Sequence, residues 1–198
     1  NFVGYADYKT PAEGKDNIAS FEFIPWILAQ CETVSQAKEC LGRINLTDTA
    51  FSQTLPPAQL HWIIADRQEA ITVECVKEDI RVYPNPVGIL TNNPPFDFHY
   101  YNLINYRHLT AQQSENTFSR SLSLQSYSNG MGAIGLPGDL SSASRFVRAS
   151  FMKANSLGGS VEQDIAQFFH ILDSVAMPKG SVITPDSRYE ITRYSSCC

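Results

Sequence analysis

The sequence predicts an α+β fold, and two observations carry that expectation. Short runs rich in Ile, Val, Tyr and Trp follow one another between positions 60 and 91, as the strands of an antiparallel sheet do. Apolar residues at helical spacing flank them, in a pair of helices ahead of the strands and a pair behind. Elements sorted in this way make layers of helix and sheet, not a βαβ series.

The elements follow in order. From Asn17 to Cys31, "NIASFEFIPWILAQC", the residues Phe23, Ile24, Ile27 and Leu28 recur at helical spacing, with Ser20 placed to cap and Pro25 in the early turns. A second helix, Val34 to Leu41, ends at Gly42, a residue that suits the left-handed position after a helix. "LHWIIAD" (60 to 66) and "AITVECVKE" (70 to 78), separated by Arg67-Gln68-Glu69, read as a hairpin. "IRVYPNPVGILTNN" supplies a short strand, a Pro84-Asn85-Pro86 turn and a buried strand from Val87 to Thr91. Phe96 to Leu109 is helical or irregular, and the serine-rich stretch from Thr110 to Asn129 is an exposed excursion. A helix starts near Ser141 or Ser142 and runs through "SRFVRASFMKANSL". Another, "VEQDIAQFFHILDSV", stands behind Ser160, with Gln163 in capping-box position. "YEITRYSS" reads as a last strand.

A chain of 198 residues with 43% hydrophobic and 18% charged residues suits one ordinary globular domain, spanning 1–198. Its net charge of -5 argues against nucleic acid as a partner, because phosphate binding needs a basic face. The longest apolar segments, such as "FEFIPWILA", are too short to cross a bilayer, and no signal peptide opens the chain. Cys31, Cys40, Cys75, Cys197 and Cys198 lack C-x-x-C spacing, which argues against zinc, and their apolar settings fit buried thiols in a reducing cytoplasm. His61, His99, His108 and His170 form no H-E-x-x-H pattern and read as structural. No cofactor or metal is expected. The chain opens on Asn1 and closes on "YEITRYSSCC", so both ends read as cuts through a larger domain.

Gly130-Met131-Gly132-Ala133-Ile134-Gly135 spells the dinucleotide fingerprint G-x-G-x-x-G, but the setting is wrong for a nucleotide. The preceding "LSLQSYSN" is polar where a parallel core strand is apolar, Leu136-Pro137-Gly138 delays any helix, and no carboxylate lies near position 150. The better reading is a glycine-built loop that brings backbone close to something else.

Two stretches place polar residues where packing does not need them. "VGILTNNPPFDF" ends an apolar run on Thr91-Asn92-Asn93-Pro94, and an amide fixed there can donate to an oxyanion. The plainer alternative is that Asn92 and Asn93 make the turn into Pro94. In "GLPGDLSSASRFVRASF" the arginines Arg145 and Arg148 fall in the first turns of a helix, against its dipole, so each has either a carboxylate partner or a task.

The runs "NFVGYADYKTPAEGKDNIASFEFIPWILAQCETVSQAKECL", "LHWIIADRQEAITVE", "NPVGILTNNPPFDFHYYNLINY" and "GMGAIGLPGDLSSASRFVRASF", with "QFFHIL" and "YEITRYSSCC", resemble the choloylglycine hydrolase family, on the side of its bacterial bile-salt-cleaving members. The likeness covers nearly the whole chain. It implies a four-layer αββα N-terminal-nucleophile hydrolase sandwich, truncated here at both ends. It also implies a chemistry in which the thiolate of a mature N-terminal cysteine attacks an amide while its own α-amine handles the proton, leaving an acyl-enzyme for water to hydrolyse. Glycine- or taurine-conjugated bile acids are the implied substrates, held in an apolar pocket with a few polar groups, and a homotetramer is the implied assembly.

Carried over residue by residue, Asn92 in T-N-N-P matches the family's oxyanion-hole asparagine, with Asn93 beside it as the alternative donor. Arg145 in S-R-F matches an arginine near the nucleophile, whose charge favours thiolate. Asn1, ahead of F-x-G, matches an asparagine whose backbone nitrogen is a second oxyanion donor, where penicillin V acylases of the family tend to carry tyrosine. The glycine-rich loop then leads into the helix bearing Arg145. One departure is large: the family's cysteine, followed shortly by an arginine and an aspartate, lies in a segment that precedes Asn1. A carboxamide cannot replace a thiolate and none of the cysteines present is N-terminal, so the chain alone is expected to be inactive. Two alternatives remain: a penicillin V acylase, and a non-catalytic module binding amphipathic ligands in the same pocket.

Overall fold

The hairpin at the middle of the sequence forms as its pattern requires and organises the first half of the fold. In the computed structural model, which describes residues 1–197, β3 (Trp62–Ala65) pairs antiparallel with β4 (Ala70–Cys75), and β4 pairs with β5 (Ile80–Pro84). Cys198, the second member of the vicinal cysteine pair, lies outside the described residues. The chain divides into two units, Asn1–His99 and Tyr100–Cys198. The class is α+β, as the sequence predicts.

In the first unit, β1 (Asp16–Ala19) runs parallel to β2 (Ile44–Thr47), with α1 (Phe23–Gln30) and α2 (Val34–Leu41) between them. Both strands are corrections. The pattern over Asn17 to Cys31 reads as helix, but the backbone of Asp16–Ala19 is taken by its ladder with β2, so the helix starts only at Phe23. Ser20 is buried and does not cap; Glu22 stands at the cap, its amide donating to the Ala19 carbonyl and its carboxylate accepting the Ala19 amide. Gly42 does not take the left-handed conformation either. Its φ is -67°, and α2 closes through the Gly42 amide on the Glu39 carbonyl, leading straight into β2. One apolar cluster joins these layers: Ile18, Phe23, Ile27, Val34, Ala37 and Leu41 pack with Ile44, Leu46, Trp62, Ile71, Val73 and Cys75. Phe23 lies against Trp62 with ring centroids 4.5 Å apart.

The strand expected at Val87 to Thr91 does not form. Asn85, buried, accepts the Gly88 amide at 2.8 Å and donates to the Ile89 carbonyl at 2.9 Å, so a side chain occupies groups that a ladder would need. α3 (Phe96–Asn102) and a 3-10 turn at Leu103–Tyr106 follow, in line with the helical or irregular reading.

In the second unit, α4 (Ser142–Asn155) starts behind Ser141, whose hydroxyl accepts the Ser144 amide, and α5 (Val161–Asp173) starts in the expected capping box of Ser160 and Gln163. The serine-rich stretch from Thr110 to Asn129 is irregular and mostly exposed. The glycine loop closes on this stretch. A Cβ on Gly132 would collide with the carbonyl oxygens of Thr110 and Gln112, while the Gly132 carbonyl accepts the Thr110 amide at 3.0 Å. The last expected strand, "YEITRYSS", is reduced to a bridge between Ile183 and Tyr189; the amides of Glu190 and Thr192 go to the carbonyls of Val182 and Met177.

Candidate active site

β4 is buried on both faces, and its alternation separates two tasks. Ile71, Val73 and Cys75 enter the apolar cluster, while Thr72 and Glu74, each 0% exposed, point the other way. Thr72 Oγ1 accepts from Asn85 Nδ2 at 3.0 Å. Glu74 Oε1 accepts the Phe96 amide at 2.9 Å and lies 3.2 Å from His61 Nδ1. The other oxygen, Oε2, is buried without a hydrogen-bond partner among the described residues. Thr72 and Glu74 thus engage residues on either side of the segment that holds Asn92 and Asn93.

Asn1 and the Asn92-Asn93 pair come together in this first unit. The Asn93 amide donates to the Asn1 carbonyl at 3.2 Å, across a sequence distance that nothing in the local pattern reveals. The Asn92 carbonyl accepts from His99 Nε2 at 2.9 Å; a carbonyl only accepts, so Nε2 carries the proton. Burial holds the His99 imidazole below its ordinary pKa, which keeps it neutral in that donor role. Next to Asn1, Phe2 is fully buried, its amide on the Gln59 carbonyl at 2.8 Å and its ring stacked on His61 at 4.6 Å. The histidines at 61 and 99, expected to be structural, both touch the candidate site.

Arg145 belongs to the second unit. Its Nε donates to the Leu140 carbonyl at 3.1 Å; partial burial lowers its pKa, opposed by the charge of Glu190 and reinforced by Arg148. Arg148 has a purely architectural task, its guanidinium holding the carbonyls of Pro137, Asp139 and Ser174 at 2.6, 2.7 and 3.0 Å. Ahead of them Asp139 accepts from the Ser141 and Ser144 side chains and the Ser141 amide, which brings its carboxyl down to about 2.

Burial pushes the Cys75 thiol up to about 11, and Cys31, desolvated and donating to Cys40, also rises to about 11. Such thiols stay protonated at neutral pH and are poor nucleophiles. The groove lined by Lys15, Asp16, Glu22 and Trp26 contains none of Asn1, Asn92 or Arg145. Among the described residues no group of three or more His, Cys, Asp or Glu is placed to hold a metal ion, and no helix is long and apolar enough to cross a membrane.

Sequence reasoning passed over Glu74. The signal was available: a carboxylate inside the apolar run "AITVEC", on the strand opposite His61 once the hairpin turn is fixed.

Comparison with known proteins gives this fold a family. The model of the linear amide C–N hydrolases of the choloylglycine hydrolase family matches residues 1–198. The chain belongs to that family. It is 53% identical to a bile salt hydrolase/transferase of Lactiplantibacillus plantarum, over 100% of this chain and 61% of that relative. A crystal structure of a variant of the conjugated bile acid hydrolase of Clostridium perfringens superimposes with a TM-score of 0.86 at 37% identity, covering 97% of this chain and 59% of that one. A penicillin V acylase of Agrobacterium tumefaciens, 21% identical with a TM-score of 0.67 over 93% of this chain and 50% of that one, shares the fold alone. The chain thus spans about 61% of the length of the curated relative from L. plantarum.

Proposed function

We propose that residues 1–198 form the oxyanion-binding part of a bile salt hydrolase, which cleaves the amide of glycine- or taurine-conjugated bile acids through an N-terminal cysteine and an acyl-enzyme. The observation that supports this reading is the hydrogen bond from the Asn93 amide to the Asn1 carbonyl, which ties the Asn92-Asn93 loop to the backbone of Asn1. Asn92 donates its side-chain amide to the developing oxyanion, and the backbone nitrogen of Asn1 donates the second bond. The Arg145 guanidinium favours the thiolate and orients the site. The family resemblance assigns the nucleophile to a cysteine outside residues 1–198, and the raised thiols of Cys31 and Cys75 are poorly suited to replace it. Both units then belong to one domain, part of an αββα sandwich. The working enzyme is a homotetramer in the cytoplasm, a compartment that suits the free thiols of Cys31, Cys40 and Cys75, and the net charge of -5 keeps nucleic acid from being a partner.

The test is a hybrid in which residues 1–198 replace the matching stretch of the L. plantarum relative, assayed on glycocholate, taurocholate and penicillin V. The hybrid is expected to prefer the bile salts, and Asn92→Ala to lower kcat by about 100- to 1,000-fold. A folded hybrid that binds bile salts and cleaves none would favour a non-catalytic amphipath-binding module instead.

A further inference from the structure

Glu74 stands where every element of the candidate oxyanion site meets. Its Oε1 accepts the amide of Phe96, the first residue of α3. Within α3, His99 donates to the Asn92 carbonyl. On the other side Trp62 pairs with Val73, which brings His61 opposite Glu74, and the His61 ring stacks on Phe2 beside Asn1. The contacts close into a ring: Asn1 and Phe2, His61, Glu74, Phe96, His99, Asn92, and Asn93 back to Asn1.

We propose that Glu74 is a positioning residue for the amide hydrolysis, fixing the Asn92 and Asn1 backbones so that both oxyanion donors face one point. The inference rests on the reading of Asn92 and Asn1 given above. One feature favours it over a packing role: neither hydrogen bond of Oε1 joins β4 to its own sheet backbone; one goes to the start of α3, the other to the imidazole under Phe2. What Glu74 secures is therefore the geometry of donors, which only a transition state reads.

The experiment uses the hybrid. Glu74→Met removes the acceptor for the Phe96 amide at similar length, and Glu74→Gln keeps one. We expect Glu74→Met to lower kcat on glycocholate about 100-fold with KM within about twofold, and Glu74→Gln to recover most of the loss. Added to Asn92→Ala, Glu74→Met should cost less than about threefold more, because both act through one group. Losses that multiply, or a raised KM at unchanged kcat, overturn the proposal. Should Glu74→Met fail to fold, His61→Phe keeps a ring on Phe2 and removes both ring nitrogens, the Nδ1 that faces Glu74 among them; an about tenfold fall in kcat is expected there, and none overturns the proposal. A readout independent of turnover separates the two claims. In asparagine-labelled hybrid, the side-chain amide resonance of Asn92, identified by its loss in Asn92→Ala, should move in Glu74→Met and His61→Phe and return in Glu74→Gln. A resonance that stays in place sinks the positioning role even if the hybrid is active. A resonance that moves in a folded hybrid that cleaves no bile salt sinks only the hydrolase reading.

Discussion

The two units bury different things. Between Asn1 and His99 the apolar cluster draws on both sheets and on α1 and α2, while the buried polar anchors Thr72 and Glu74 lie on the opposite face of β4 and Asn85 follows β5. Among the described residues of the second unit the buried apolar side chains are Phe146, Val147 and Ala149, all on α4, and α5 buries no residue. What holds the second unit's local structure is polar: the caps of Ser141 and Ser160, the Asp139 carboxylate at the start of α4, and the three carbonyls on Arg148. An amphipathic pattern and a cap are enough to specify a helix. They do not specify what covers it.

The largest effect that tests this contrast is in the first unit. Phe23 is 1% exposed and touches Trp62, so Phe23→Ala removes a buried ring and leaves a cavity, at about 3–5 kcal/mol. Both tryptophans, Trp26 and Trp62, lie in this unit, so urea unfolding followed by tryptophan fluorescence reads the loss where it occurs. In the second unit the corresponding large loss should be polar. Arg148→Met keeps the apolar stem but strands the carbonyls of Pro137, Asp139 and Ser174, at about 2 kcal/mol, read from the helical circular dichroism signal during unfolding. An Arg148→Met variant as stable as the parent would break the contrast from the polar side.

The same difference explains what the sequence made legible. α2, the β3–β4 hairpin, β5, α4 and α5 carry their signals locally, in spacing, turns and caps, and each formed within a few residues of its expected place. β1 and β2 each span only four residues and pair in parallel across two helices, so nothing near either strand announces it. Val87 to Thr91 has the composition of a strand, but the Asn85 side chain satisfies its first backbone groups and ends the ladder at Pro84. The site was legible in a different way. From residue patterns alone, Asn92 and Asn93 are turn residues, and their candidacy as oxyanion donors came from the family resemblance of whole blocks. The meeting of Asn93 with Asn1 is a tertiary fact that no window of sequence contains. Glu74 lay between these cases: hairpin register alone sets it against His61, but its grip on Phe96 needed the fold.

The smallest expected effect is the sharpest check, because it holds residue type fixed. Phe168 on α5 is 36% exposed, against 1% for Phe23, and packs edge-on to Phe169 with centroids 5.6 Å apart. Phe168→Ala gives up that ring contact and some partial burial, together on the order of 1 kcal/mol. It gains the better helix propensity of alanine, about 0.5 kcal/mol, and opens no enclosed cavity, since α5 has no buried residue beside it. The second term offsets about half of the first, so unfolding followed by circular dichroism should show a loss of only about 0.5 kcal/mol. A loss as large as that of Phe23→Ala would mean that the apolar face of α5 is covered in the working protein, and the difference between the units would then be one of partners and not of internal design.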